Sequence, residues 1–203
     1  MKRSRMRRRN FWAVSILSLL SLWGVGTLLT SCSADDEYSS MRLAFYFDNS
    51  KHQNATLASA MNSASPGVFC LISYNAQKKV FTCTSNNGQS TPSSIYADEQ
   101  QQGMTSRIGM NNGIIVGYSN QNLESGNYQF YAFDAQCPNC FDYNAIPMKS
   151  YPLTLNSDGT ATCANCKRKY NMNYGGLCVN NTGNNMTKYR CSTTGAWGYL
   201  VVN

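Results

Sequence analysis

Two Cys-x-x-Cys pairs, Cys137-Pro138-Asn139-Cys140 and Cys163-Ala164-Asn165-Cys166, bracket a turn-rich stretch in the C-terminal half of a 203-residue chain. Two such turns facing each other place four sulfurs at the corners of a tetrahedron, an arrangement that zinc and iron–sulfur clusters accept. The segment between Cys140 and Cys163 leaves room for a short excursion between two knuckles. Three chemistries compete for these thiols. A structural zinc would be closed by all four sulfurs, with no open position for catalysis. A [2Fe-2S] cluster on the same thiolates would transfer single electrons. Redox-active disulfides are the third, and Cys-Pro-Asn-Cys alone suggests them. A thioredoxin-like dithiol, however, sits at a strand-to-helix junction in a βαβ setting, which is missing around both pairs. Pro138, and the lack of a long apolar helical pattern after Cys140, favour knuckle turns and hence a metal.

Elsewhere the sequence assembles no nucleophile, base and orienter. Its one histidine, His52, stands in the polar stretch NSKHQNAT and reads as a surface residue. Asp134, three residues before Cys137, either caps a strand-end turn or tunes the site. The glycines of residues 109–117 lack the helix that a phosphate loop requires. Lys167-Arg168-Lys169 reads as a solvated basic loop.

The elements that must position the cysteines are strand-like almost throughout. Residues 43–47, 68–74, 79–84, 113–119 and 128–134 are short, rich in aromatic and β-branched side chains, and bounded by Asn, Gly and Ser. Only residues 54–64 and 95–103 suit a helix. The pattern predicts an all-β fold, a small antiparallel sandwich with minor helical inserts. If residues 75–78 form a four-residue hairpin loop, Tyr74 faces Lys79 and Cys70 faces Cys83, where a disulfide becomes geometrically possible. Two small buried thiols are the alternative there. A second candidate bridge joins Cys178 to Cys191 across an Asn-rich loop.

At the N-terminus, Lys2, Arg3, Arg5, Arg7, Arg8 and Arg9 precede an uncharged run over residues 11–29, the layout of an export signal. The run ends in Leu29-Thr30-Ser31-Cys32, which resembles the lipobox of bacterial lipoproteins. That resemblance implies cleavage after residue 31, acylation of Cys32 and attachment to a membrane through lipid. The other reading is an uncleaved signal anchor, since the run approaches the roughly 20 residues that span a bilayer. The acidic SADDEY after Cys32 resembles the surface-export tether of lipoproteins in Bacteroides-like bacteria. The expected location is the cell envelope, lipid-anchored in the outer membrane and facing either the periplasm or the cell surface. Of 17 basic and 10 acidic residues, six basic ones fall in the leader, so the remainder balances 11 against 10 at +1. Such a charge gives no case for nucleic-acid binding.

The order GIIVGYSN…NYQFYAFDAQCPNC followed by GTATCANCKRKYNMNYGG…MTKYRC resembles a Rieske-type domain over residues 113–202. In that family two loops at one tip of a small β-sandwich present Cys-x-His and Cys-x-x-His to a [2Fe-2S] centre. Cys137 and Cys163 fall on the two family cysteines and Cys166 on the second histidine. Asn139 stands at the first histidine, with Cys140 one residue later. Because His52 lies far outside the motif, a centre of two cysteines and two histidines cannot form. Four thiolates would pull such a cluster from the Rieske range toward about −400 mV. Zinc meets no such objection, and the knuckles also resemble those of zinc ribbons. The resulting expectation is a leader over 1–31, an acidic linker over 32–40, a β-rich elaboration over 41–110 and a Rieske-like domain over 111–203. Its Cys137, Cys140, Cys163 and Cys166 bind zinc in a non-enzymatic module, with a [2Fe-2S] electron carrier serving an envelope redox partner as the alternative and a thiol–disulfide oxidoreductase as the third reading.

Overall fold

The computed structural model describes residues 37–101, 108–122 and 126–203. The expected leader, Cys32, most of the expected acidic linker and the end of the expected helix over 95–103 lie outside the described residues. Within them the chain is mostly β, and every strand pairing is antiparallel. In chain order the elements are β1 (Phe45–Asp48), α1 (Asn49–His52), α2 (Ala55–Ala60), β2 (Phe69–Asn75), β3 (Val80–Ser85), β4 (Ser90–Ser94), α3 (Ala97–Gln101), β5 (Ile114–Asn122) and β6 (Tyr128–Asp134). There follow β7 (Leu153–Leu155), β8 (Thr160–Cys163), β9 (Lys169–Asn171), β10 (Leu177–Cys178), β11 (Lys188–Tyr189), β12 (Cys191–Thr193) and β13 (Tyr199–Val202).

Three sheets form, with strand orders β1-β13-β12, β11-β6-β5-β2-β3-β4 and β10-β9-β8-β7. The six-stranded sheet lies in the middle, which explains its sequence. Ile114, Ile115 and Val116 are all fully buried, because a strand covered on both faces has no solvent side to alternate toward. Ile114 and Val116 join a core with Phe45, Phe47, Leu57, Phe81 and Leu200. Ile115 joins a second core with Phe69, Phe133, Leu153, Tyr170 and Met172 on the opposite face. Each such side chain contributes roughly 1.5–3 kcal/mol by leaving water. Helix α2 packs into the first core through Leu57 and Ala60. Its start is set by Asn54, whose side-chain oxygen accepts from Leu57 N at 3.0 Å, an N-cap. It ends at Ala60, before the expected 64, where the chain turns at Asn62: its Oδ1 accepts from Ala64 N at 3.0 Å and its carbonyl from Ser65 N at 2.9 Å, side-chain and turn bonds that compete with helix.

Four expectations need correction. The hairpin loop between β2 and β3 begins one residue later than expected. Asn75 Oδ1 accepts from Lys78 N at 3.0 Å and Lys79 takes φ +53°, so Val80 is the first residue to face Asn75. Tyr74 therefore faces Phe81, Cys70 faces Ser85 and Cys83 faces Ile72. A displacement of two keeps both thiols on the same face, and they are diagonal neighbours, buried and unbridged. Cys178 and Cys191 are also free thiols, because β10 and β12 belong to different sheets and pack against opposite cores. The division at residues 110 and 111 runs through one sheet, since β5 is paired with β2 on one side and β6 on the other; the described residues belong to one compact unit.

His52 is the fourth correction, for its side chain is 1% exposed. The imidazole stacks on Phe47 with centroids 4.2 Å apart. Its Nε2 lies 2.5 Å from Glu99 Oε1 and its Nδ1 3.2 Å from Ser93 Oγ. A polar neighbourhood in sequence hid an apolar one in space.

Candidate metal centre

The first cysteine turn continues from β6. Beyond Asp134 the chain stays beside the strand that becomes β7: Leu153 N donates to Ala135 O at 2.8 Å, and Cys137 N to Tyr151 O at 2.8 Å. After Cys137 the backbone closes on itself, with Cys140 N and Phe141 N both donating to Cys137 O at 3.2 and 2.9 Å. The second turn leaves β8 at Cys163. There Lys167 N donates to Cys163 O and Cys163 N to Arg168 O, both at 3.0 Å. Lys167 adopts φ +60°, the left-handed residue that sends the chain back into β9. The two turns meet because β7 is the neighbour of both: its Leu153 faces Cys163 across the β7–β8 pair while Pro152 bridges to Gln136.

This places the four sulfurs within 4.8 Å of one another. Cys137 Sγ lies 3.6 Å from Cys166 Sγ, and Cys163 Sγ 3.8 Å from Cys140 Sγ. With metal–sulfur bonds of about 2.3 Å, a tetrahedral site has sulfur–sulfur edges of about 3.8 Å. Cys137, Cys140, Cys163 and Cys166 could thus hold a metal ion. Cys137 and Cys163 are buried, while Cys140 and Cys166 are partly exposed.

The surrounding polar groups aim hydrogens at the sulfurs. Asn139 Nδ2 donates to Tyr170 Oη at 2.9 Å, which leaves the Tyr170 hydrogen to point at Cys137 Sγ, 3.3 Å away. The orientation of the Asn139 amide follows from Asn184, whose carbonyl accepts from Nδ2 at 2.8 Å and whose N–H donates to Oδ1 at 2.9 Å. Asn165 Nδ2 donates to Cys140 Sγ at 3.3 Å. Burial pushes the Cys137 thiol up to about 12, against the opposing pull of Tyr170 and the Asn139 N–H. Cys140 is raised, again by burial first. At Cys166 burial acts upward too, but the Arg168 backbone N–H and side chain, with Cys140 and Cys137, outweigh it and lower the thiol to about 6. Metal binding requires thiolates, and the set already offers donors and one cation to stabilise their charge.

The chain matches no family model, no curated protein and no solved structure.

All four cysteines expected to act together do come together. Asn139, at the position of a histidine in the Rieske comparison, stays outside the sulfur cluster and serves the Tyr170 hydroxyl instead. Asp134 is buried, and its carboxylate accepts from Met110 N at 2.6 Å, Gln136 N at 2.7 Å and Tyr189 Oη at 2.7 Å. Burial, the largest influence, raises its pKa against these three bonds. It anchors the segment that leads into the first cysteine turn. Lys167 is exposed as expected, while Lys169 is half-buried and pairs with Asp158 at 2.8 Å, and Arg168 serves the site through Cys166.

Sequence reasoning missed Tyr170, Asn165 and Arg168 as partners of the sulfurs. Asn165 carried a usable signal as the residue inside the second Cys-x-x-Cys; Tyr170 did not, because it reaches Cys137 only through the pairing of β8 with β9. The row Ser93, His52 and Glu99 was missed as well. It brings hydroxyl, imidazole and carboxylate into line, with Glu99 Oε2 also accepting from Tyr96 N at 2.8 Å. All three side chains are buried, and the row ties α1, β4 and α3 together. Among the described residues, no helix is long and apolar enough to cross a membrane.

Proposed function

We propose that the chain is a cell-envelope lipoprotein, acylated at Cys32, whose β body is stapled by one zinc ion held by Cys137, Cys140, Cys163 and Cys166. The observation that carries the zinc reading is the mutual closeness of all four sulfurs, within 4.8 Å. A single ion sits at equal distance from four ligands, whereas a two-iron cluster has a ligand pair at each end and needs those pairs further apart. The residues fit such an ion: two buried sulfurs face inward, Tyr170 and Asn165 donate to sulfur, and Arg168 offsets charge. With all four positions filled by protein, the metal supplies cross-linking and no Lewis-acid chemistry. The Rieske-like reading is supported by the convergence of both cysteine turns on β7, which runs beside each of them, with the Tyr170 hydroxyl at the Cys137 sulfur. Its substituted ligands serve a binding module without electron transfer.

Metal analysis with a visible spectrum tests this, on the full chain taken from native envelopes without oxygen. About one zinc per chain and no visible absorption is the expected result. Two irons with matching sulfide, bleached by dithionite, would replace the staple by an electron carrier. A metal-free protein that consumes two equivalents of thiol would replace it by a dithiol enzyme. Mass analysis of the N-terminal peptide for acylated Cys32 tests the anchor separately.

A further inference from the structure

Between the first cysteine turn and β7 runs an exposed loop, residues 141–151, that carries apolar side chains into solvent. Ile146 is 99% exposed, Tyr143 55% and Met148 47%. Single exposed apolar residues need no explanation, but three within six residues on one projecting loop do. The loop is held in shape: Asp142 Oδ1 accepts from Asn144 N at 2.9 Å, Ala145 N donates to Asp142 O at 3.3 Å, and Tyr151 O receives Cys137 N. Lys149, exposed, follows the apolar residues directly.

The position of this loop relative to the start of the described chain gives it a partner. Thr187 lines a cleft of about 280 Å³ with Phe141 and Tyr143. The same Thr187 lines a cleft of about 360 Å³ with Glu37 and Tyr38. Glu37 and Tyr38 are fastened there: Glu37 pairs with Lys188, Ser39 N donates to Lys188 O at 2.8 Å, and the Tyr38 ring lies 5.1 Å from the Arg190 guanidinium. Cys32 is five residues before Glu37, which amounts to at most ~18 Å of extended chain. A lipid on Cys32 therefore leaves this side of the body little freedom to leave the bilayer surface.

We propose that the loop seats in the surface of the bilayer to which acyl chains on Cys32 tie the protein. Tyr143, Ile146 and Met148 enter the boundary between headgroups and acyl chains, and Lys149 stays among the phosphates. Tyrosine at headgroup depth, aliphatic side chains beneath it and a snorkelling lysine are the composition that interfacial segments use. The proposal rests on the lipoprotein reading above. It adds a second contact to the lipid anchor and orients the body, turning the metal site toward the membrane.

The test uses the full, processed protein in phosphatidylethanolamine–phosphatidylglycerol vesicles with brominated acyl chains. Of the three tryptophans, Trp12 and Trp23 fall in the leader, so Trp197→Phe with Tyr143→Trp leaves one reporter on the loop. Its fluorescence is expected to be quenched by shallow-brominated lipid several-fold more than that of Trp197 in the otherwise unchanged protein. Adding Ile146→Asp, at a side chain too exposed to support the fold, is expected to remove most of the quenching while circular dichroism stays unchanged. Quenching no stronger than that of Trp197, or unaffected by Ile146→Asp, overturns the proposal. A loop reporter shielded from iodide only in native envelopes, and not in vesicles, also overturns it and points to a protein partner. The Cys32 peptide is weighed in the same sample: acylation without quenching rejects the loop alone, and an unmodified Cys32 rejects both readings.

Discussion

At Tyr170 one hydroxyl connects the Cys137 sulfur to Asn139 and, through it, to the chain at Asn184. Tyr170→Phe keeps the ring in its core and removes only that link. Groups of this kind are worth 10–100-fold in metal affinity, so a loss of roughly tenfold is expected in competition with a chromophoric chelator. A stronger case of buried polarity is Asp134, where Asn cannot accept both from Met110 N and Tyr189 Oη on one side and from Gln136 N on the other. Asp134→Asn is expected to cost about 1–3 kcal/mol in denaturant unfolding. The pH dependence follows from the raised pKa of Asp134. Between the unfolded value near 4 and the raised folded value, the native state holds the extra proton, so stability falls as pH rises through that window. The variant should lack that slope, which urea midpoints measured for both proteins across the window would reveal. The four cysteines were legible because Cys-x-x-Cys spacing is a local property. Tyr170 was not, since a hydrogen bond to sulfur across two strands leaves no trace in local spacing.

At the scale of elements, strands were read well because aromatic and β-branched runs between Asn, Gly and Ser reflect local backbone preference. Residues 128–134 became β6 without adjustment. Register was read less well: a loop start misplaced by one residue moved every facing pair of β2 and β3, and the expected Cys70–Cys83 bridge with it. What decided the register was a side-chain bond from Asn75 and the left-handed Lys79, both details of a turn that composition does not show. Burial of His52 was equally illegible, because Phe81 and Tyr96 close over it from elements far along the chain, and the fold turns it back onto nearby Phe47. The turn from β9 to β10 gives an element-scale prediction. Gly176 has φ +77°, and a Cβ there would lie 2.6 Å from Met186 Cβ and 3.0 Å from the Phe133 ring. Gly176→Ala should therefore destabilise by more than about 1 kcal/mol, read from the thermal midpoint.

For the whole molecule, the sandwich of three sheets gives each outer layer its own core against the central one. Metal removal should accordingly act on one layer first. With the centre tying β8 to the end of β6, chelation is expected to raise amide exchange in β7, β8, β9 and β10 while β2 and β3 keep their protection. The thermal midpoint should fall by roughly 2–4 °C for each kcal/mol lost at this chain length. Uniform loss of protection throughout the body would contradict a local staple. The central sheet also divides the eight cysteines of the body by parity. Cys70, Cys83 and Cys191 lie against one face, and Cys137, Cys140, Cys163, Cys166 and Cys178 against the other. Both sets are odd, so no complete set of disulfides exists that does not cross the sheet: an even total conceals a fold that must keep thiols reduced. Alkylation in denaturant followed by mass measurement should find at least two free thiols in the described body under any oxidant that leaves it folded.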